Sequence, residues 1–274
     1  MNLYLSSLNL VYKEELLPHA IKQGCTDFLF SYITFEKLSD EEILKVLKPL
    51  EGKHVMIDSG AHTFQQTKHN VDFDKFVEHY ADFICKFGRY ITSYVQLDIE
   101  GKVGLKKVEE WDNYLYKRTG RKPISVWHRG RGWDYYKNYM CKNYDYVGFS
   151  AFAFKGELEV PDKFVNLFCK TAHDNGCMIH GFAYTKADLW TRHFDSVDSS
   201  SWSSGGRFGS IQKFDPKKKA IVNDMAIRNY SGQHIRIHKH NITEWCKYQK
   251  FIKTLPSGLT EWKGGKTESG ILVP

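Results

Sequence analysis

Three β-prone runs in this chain end on a carboxylate: His54-Val55-Met56-Ile57-Asp58, Tyr94-Val95-Gln96-Leu97-Asp98 and Phe194-Asp195-Ser196-Val197-Asp198. A carboxylate at the end of a strand points into whatever space the following loop encloses. After Asp198 that loop reads Ser199-Ser200-Ser201-Trp202 and then Gly205-Gly206-Arg207-Phe208-Gly209, which lets a flat substrate approach the backbone closely. Two carboxylates on one substrate suit glycosidic bond exchange, one attacking the anomeric carbon and the other shuttling a proton to and from the leaving group. Their surroundings must keep the nucleophile ionised and the acid partly protonated. Asp58 and Asp198 are the candidate pair. Asp98 could bind the polar edge of a base, since a carboxylate accepts two N–H donors side by side. Alternation places Phe194, Ser196 and Asp198 on one strand face and Asp195 on the other. Aspartates at such positions also cap helices, shape turns and bind metals, and residue type alone leaves those readings open.

The elements that would position these groups follow a repeating order. Strand-like runs are Leu3-Tyr4-Leu5-Ser6, Asp27 to Tyr32, His54 to Asp58, Tyr94 to Asp98, Pro123 to His128, Tyr146 to Ser150, Cys177 to Phe182 and Phe194 to Asp198. Helical stretches separate them: Lys13 to Lys22, Ser39 to Leu50 with a Ser39/Glu42 capping box, Phe73 to Phe87, Lys106 to Lys117, Trp133 to Cys141, Asp162 to Asn175 and Thr185 to Arg192. Eight strands alternating with helices predict a closed (β/α)8 TIM barrel, with a doubly wound open sheet as the competitor. No GxGxxG follows the first strand, which counts against a dinucleotide fold. In a barrel the active site lies at the C-terminal strand ends. Those ends are Ser6, Ser31, Asp58, Asp98, His128, Ser150, Gly181 and Asp198, nearly all polar or small. The barrel is expected over 1–210. Residues 211–274 are expected to form a basic helical extension packed on it rather than a separate domain, with Gly264 to Pro274 loosely ordered.

Hydrophobic content of 42% and charged content of 26% describe an ordinary soluble protein. No apolar run approaches the roughly 18–20 residues of a membrane helix, and the N-terminus lacks a signal-peptide pattern, so a cytoplasmic location is expected. Six cysteines without CxxC or CxC pairs read as reduced thiols rather than a disulfide framework or a zinc site. The net charge of +7 and 15% aromatic content suit nucleic acid, and equally a mildly basic enzyme with an aromatic core.

The run Asp58-Ser59-Gly60-Ala61-His62-Thr63-Phe64-Gln65 resembles the Asp-Ser-Gly-Gly-Phe-Gln motif of the tRNA-guanine transglycosylases, barrel enzymes that swap guanine for a 7-deazaguanine. In that family the nucleophilic aspartate ends strand eight, with an arginine nine residues on and then a glycine. Asp198, Arg207 and Gly209 match that spacing. The resemblance implies Asp198 as nucleophile, Asp58 as acid/base and Ser59 as part of the substrate site. It further implies base contacts from Asp98, within Gln96-Leu97-Asp98, and from His128, standing where the family has a glutamine. Gly148, Phe149 and Ser150 correspond to its Gly-Gly-Leu segment, and His180-Gly181 followed by Thr185 and Asp188-Leu189 to its Met-Gly stretch. Phe149, His62 or Phe64 would sandwich the base. Phosphate contacts are expected from Arg207, Arg129, Arg131, Lys213, Lys217, Lys218 and Lys219. The family's Cys-x-Cys-x-x-Cys…His zinc site is absent, so no metal and no cofactor are expected, although His234, His238, His240 and Cys246 have ligand chemistry. A zinc-free chain looks most like the compact phage-type enzymes that place 7-deazaguanines in DNA. The implied partners are DNA, or tRNA with the help of a second subunit, and a free 7-deazaguanine base. A non-catalytic nucleic-acid-binding barrel is the rival from another class, and the sequence leaves a homodimer open.

Overall fold

The computed structural model describes residues 1–8, 15–66, 71–150, 160–203, 209–226 and 234–255. Eight strands, β1 (Asn2–Ser6), β2 (Asp27–Ser31), β3 (His54–Asp58), β4 (Ser93–Tyr94), β5 (Ser125–Trp127), β6 (Tyr146–Ser150), β7 (Met178–Phe182) and β8 (Ser196–Ser199), form one sheet in the order β4-β3-β2-β1-β8-β7-β6-β5. Their described pairings are all parallel, and the parallel bridge Val95–Ile124 links the two ends of that order. The helices are α1 (Leu16–Lys22), α2 (Asp40–Leu47), α3 (Ala61–Gln66), α4 (Phe73–Phe87), α5 (Glu100–Val103), α6 (Leu105–Thr119), α7 (Gly132–Tyr135), α8 (Cys141–Asn143), α9 (Asp162–Asp174) and α10 (His234–Thr254). The fold is the expected α/β class, TIM-barrel-like. The chain divides into two compact units, Asp27–Val126 and Met1–Thr26 together with the chain from Trp127 onward.

In the Asp27–Val126 unit, β2 and β3 pair in register from Asp27–His54 to Ser31–Asp58. The capping box opens α2 as expected: Glu42 N–H donates to Ser39 Oγ at 3.3 Å and Ser39 N–H to Glu42 Oε2 at 2.8 Å. Asp72 caps α4 by accepting Lys75 N–H at 3.1 Å. Helix α4 then buries Phe76, Val77, Tyr80, Phe83, Ile84 and Phe87 at helical spacing. Each such aromatic contributes about 1.5–3 kcal/mol on leaving water. Strand β4 is shorter than the expected Tyr94–Asp98 run; beyond it Val95 donates its N–H to Ile57 O at 2.8 Å and bridges Ile124.

In the other unit, β8 lies between β1 and β7, with Tyr4 opposite Asp198 and His180 opposite Ser196. The helix expected over Thr185–Arg192 is reduced to one 3-10 turn, Leu189–Thr191. The segment after the sheet also departs from expectation. Instead of a wholly helical extension, an antiparallel hairpin comes first, β9 (Ser210–Asp215) with β10 (Ala220–Ala226), followed by α10. Asn241 on α10 accepts Gln212 N–H at 2.9 Å and donates to Trp202 O at 3.1 Å, and Trp202 Nε1 donates to Ser6 O at 2.8 Å. Farther along α10, Gln249 donates to Leu3 O at 2.7 Å and accepts Thr26 N–H at 3.0 Å. Helix α10 therefore runs antiparallel to β1, from its C-terminal end to its N-terminal end. Residues 256–274, including Gly264 to Pro274, lie outside the described residues. None of the six cysteines is in a disulfide. Among the described residues no helix is long and apolar enough to cross a membrane.

Candidate active site

Asp198 stands one residue before the end of β8 and is almost fully buried. Its Oδ1 accepts the Ala183 N–H at 2.7 Å and lies 3.4 Å from His180 Nε2. Its Oδ2 faces the Ser6 hydroxyl at 3.4 Å. Ala183, directly after β7, holds φ at +54°, a left-handed conformation that a non-glycine residue adopts at a cost. That turn aims its N–H at the carboxylate. Behind Asp198, the His180 ring is fully buried and encircled by Tyr4, Tyr146 and Phe182. His180 Nδ1 meets Ser196 Oγ, which also meets the Tyr146 hydroxyl. Ser196 shares the face of Asp198, so four polar side chains from β6, β7 and β8 line up in a buried row.

Asp195 points the other way, as alternation requires. Its Oδ2 lies 2.9 Å from His173 Nε2 on α9 and accepts Ile179 N–H at 2.8 Å. It is a structural anchor between sheet and helix, while Asp198 faces the buried polar row.

The Asp58 end belongs to the Asp27–Val126 unit. Asp58 is half-buried at the end of β3, and its Oδ2 accepts Gly60 N–H at 3.0 Å, closing a tight turn into α3. Gly60 holds φ at +87°, and a Cβ there would come within 2.5 Å of Ile33 Cδ1 and 2.8 Å of Ser31 Oγ. The glycine is therefore required by both conformation and space. Ser59 is fully buried and donates its hydroxyl to Gln96 O at 2.8 Å. It pins the β3 end to the chain after β4, which corrects its expected role as a substrate ligand. The Tyr80 hydroxyl reaches the carbonyls of Ile57 and Val95 at 3.1 and 3.0 Å. Burial, aided by the Asp58 charge, pushes this phenol well above its ordinary pKa, so it stays a donor under the Asp58 strand. Asp98, half-buried, lies two residues beyond Gln96 in the turn that leads to α5.

Several other expectations are corrected. The Phe149 ring is buried against Phe168 and Phe194, and the Phe64 ring against Phe73 and Phe76, so both belong to the core and neither sandwiches a base. His62 is exposed. His180 is buried behind Asp198 and is no base ligand. Gly148 and Gly181 make room for neighbouring rings: a Cβ on Gly148 would come 2.7 Å from Phe182, and one on Gly181 2.9 Å from Phe194. His128 and Ser150 remain half-buried at their strand ends, as expected. Arg129 is exposed directly after His128, and the Arg131 guanidinium lies 5.8 Å over the Tyr135 ring. Arg207 lies outside the described residues. Lys217 and Lys218 occupy the hairpin turn, where both backbone N–H groups donate to Asp215 Oδ1 at 2.9 and 3.1 Å. Since β9 runs beside α10 from Gln212 near Asn241 to Phe214 near Tyr248 and Phe251, that turn is carried toward the N-terminal end of β1, away from Asp198. His238 packs on the Trp202 ring and His240 Nε2 lies 3.0 Å from Gln212 O, so both serve the α10 interface. Among the described residues no group of three or more His, Cys, Asp or Glu is placed to hold a metal.

The row behind Asp198 was not foreseen. Its signal was a histidine, His180, inside the otherwise apolar β7, and the period-two placement of Ser196 and Asp198 in β8. Set against family models and against curated proteins, the chain matches none.

Proposed function

We propose that this chain is a transglycosylase that exchanges guanine in nucleic acid, DNA in the first instance, for a 7-deazaguanine through a covalent Asp198–glycosyl intermediate. The observation that carries the reading is the Asp198 carboxylate at the end of a barrel strand, with one oxygen held by Ala183 N–H at 2.7 Å and the other facing the Ser6 hydroxyl at 3.4 Å. The resemblance of the Asp58-Ser59-Gly60 run and of the Asp198-to-Arg207 spacing supplies the reaction class.

The target guanosine is flipped from its stack so that its anomeric carbon meets Asp198. A carboxylate oxygen bonds to C1′ as the C1′–N9 bond breaks, and guanine leaves after taking a proton. The incoming 7-deazaguanine gives up a proton as its nitrogen bonds to C1′, releasing Asp198. Two inversions retain the configuration. The resemblance, rather than any measured approach, assigns both proton transfers to Asp58. Asp98, half-buried in the chain that leads to α5, and His128, half-buried directly after β5, are kept as the candidates for the base edge. Arg129 and Arg131 are assigned to phosphates.

Incubation with DNA or tRNA carrying labelled guanine, together with a free 7-deazaguanine, tests this. Label release from DNA alone supports the proposal, and release from tRNA alone names the other polymer. Binding to either without release makes the chain a non-catalytic nucleic-acid-binding barrel.

A further inference from the structure

The two oxygens of Asp198 are unequal: the Ala183 N–H holds Oδ1 closely, and the buried row behind the carboxylate reaches that same oxygen. Oδ1 has the Ala183 N–H at 2.7 Å and His180 Nε2 at 3.4 Å, while Oδ2 has the Ser6 hydroxyl at 3.4 Å. We propose that Tyr146, Ser196 and His180 form a one-way chain of hydrogen-bond donors that fixes Oδ1, leaving Oδ2 as the atom that bonds to the sugar. This rests on the transglycosylase reading above.

The direction of the chain follows from donor and acceptor inventory. An ionised carboxylate only accepts, so the proton between His180 and Asp198 sits on Nε2. A neutral imidazole then has Nδ1 as an acceptor, so the Ser196 hydroxyl must point its hydrogen there. The remaining lone pair on Ser196 Oγ takes the Tyr146 hydroxyl hydrogen. Burial pushes the Tyr146 phenol well above its ordinary pKa, which keeps that hydrogen in place. The His180–Asp198 separation of 3.4 Å is long for a hydrogen bond, and such contacts tighten when substrate binds.

The chemistry balances on these atoms. Oδ2 gives an electron pair to C1′ while the C1′–N9 pair leaves with guanine. Oδ1 becomes the ester carbonyl oxygen and keeps its amide and imidazole donors. When the second base attacks C1′, Oδ2 leaves with its electrons and the carboxylate is restored. His180 touches neither sugar nor base in this scheme. It is a positioning residue, and its loss should change kcat rather than KM.

The test has two readouts on the full chain. Nitrogen NMR of histidine-labelled protein at pH 7, with His180 assigned through His180→Gln, should show a neutral ring protonated on Nε2. Its Nδ1 signal should move in Ser196→Ala and in Tyr146→Phe. A ring protonated on Nδ1, or an imidazolium, overturns the chain whether or not any base exchange is found, so the two readings fail separately. In the exchange assay, His180→Ala should lower kcat by about 10- to 100-fold, the size seen when a partner that orients a reacting group is lost. KM for nucleic acid should be unchanged, and His180→Gln, which keeps an N–H donor, should recover part of the rate. If His180→Ala does not fold, Tyr146→Phe removes a single oxygen and should lower kcat by about 2- to 10-fold, the worth of one hydrogen bond. A rise in KM with kcat intact overturns the proposal.

Discussion

Asp195 and Asp198 lie three residues apart on one extended segment, and the strand's alternation gives them different work. The first is tied to His173 and to Ile179 N–H, and the second to Ala183 N–H beside His180. Asp198→Asn should abolish base exchange and leave nucleic-acid affinity unchanged in a filter-binding or anisotropy assay. Retained exchange would shift the nucleophile to Asp195. Asp195→Ala should do the reverse, leaving turnover intact while stability in a denaturant titration falls by about 1–3 kcal/mol, because a buried N–H loses its acceptor. Gly60→Ala forces a side chain into a φ of +87° and to within 2.5 Å of Ile33 Cδ1. We expect a loss of about 1–3 kcal/mol, read as a lowered Tm, and an unchanged Tm would show that the turn relaxes freely. The sequence made Asp198 legible over Asp195 because period two is a local rule. It could not show that Ser59 turns inward to Gln96 O or that Phe149 packs on Phe168, since those depend on which neighbour the other side of the strand meets.

At the scale of elements, the helices were legible where caps and apolar spacing agreed, as in α2 and α4. The hairpin was not. Ser210-Ile211-Gln212-Lys213-Phe214-Asp215 alternates in a strand's manner, burying Gln212 and exposing Lys213, yet the lysine run that follows hides the turn at Asp215 and Pro216. What fixes this segment is tertiary: Gln212 accepts Trp245 Nε1–H at 2.7 Å, and Glu244 accepts Phe214 N–H at 3.0 Å. Helix α10 is held in turn to α1, where His19 Nε2 lies 2.9 Å from Lys239 O and 3.0 Å from Thr243 Oγ1. Burial lowers the His19 pKa from its ordinary value near 6.5, with Lys239 and Lys22 adding to the effect against the pull of the Lys239 carbonyl. A group whose folded pKa is depressed supplies stability above its unfolded pKa and loses it as pH falls through the folded one. The α1–α10 contact should therefore weaken on acidification below about pH 6.5. Melting curves of wild type and His19→Gln between pH 7.5 and pH 5 provide the check. The wild type should lose Tm more steeply, and parallel curves would remove His19 from the account.

Across the whole molecule, the net charge of +7 gives no address for a polyanion by itself. The densest basic run, Lys217-Lys218-Lys219, was the natural choice from sequence, because charge density is visible there and position is not. The course of β9 beside α10 carries that turn toward the N-terminal end of β1, whereas Arg129 and Arg131 directly follow the C-terminal end of β5. In a barrel, substrate is handled at the C-terminal strand ends. Phosphate contacts there release counterions, so log affinity for duplex DNA falls linearly with log salt, by about 0.9 per phosphate neutralised. Arg129→Ala with Arg131→Ala should therefore flatten the salt slope by about 2 and raise KM for exchange. Lys217→Ala with Lys218→Ala should leave both nearly unchanged, although it removes the same number of charges. Equal effects from the two pairs would mean that net charge, rather than the strand-end address, governs docking. A larger effect from the lysines would place the nucleic acid on the hairpin side and separate it from the carboxylate assigned to attack it.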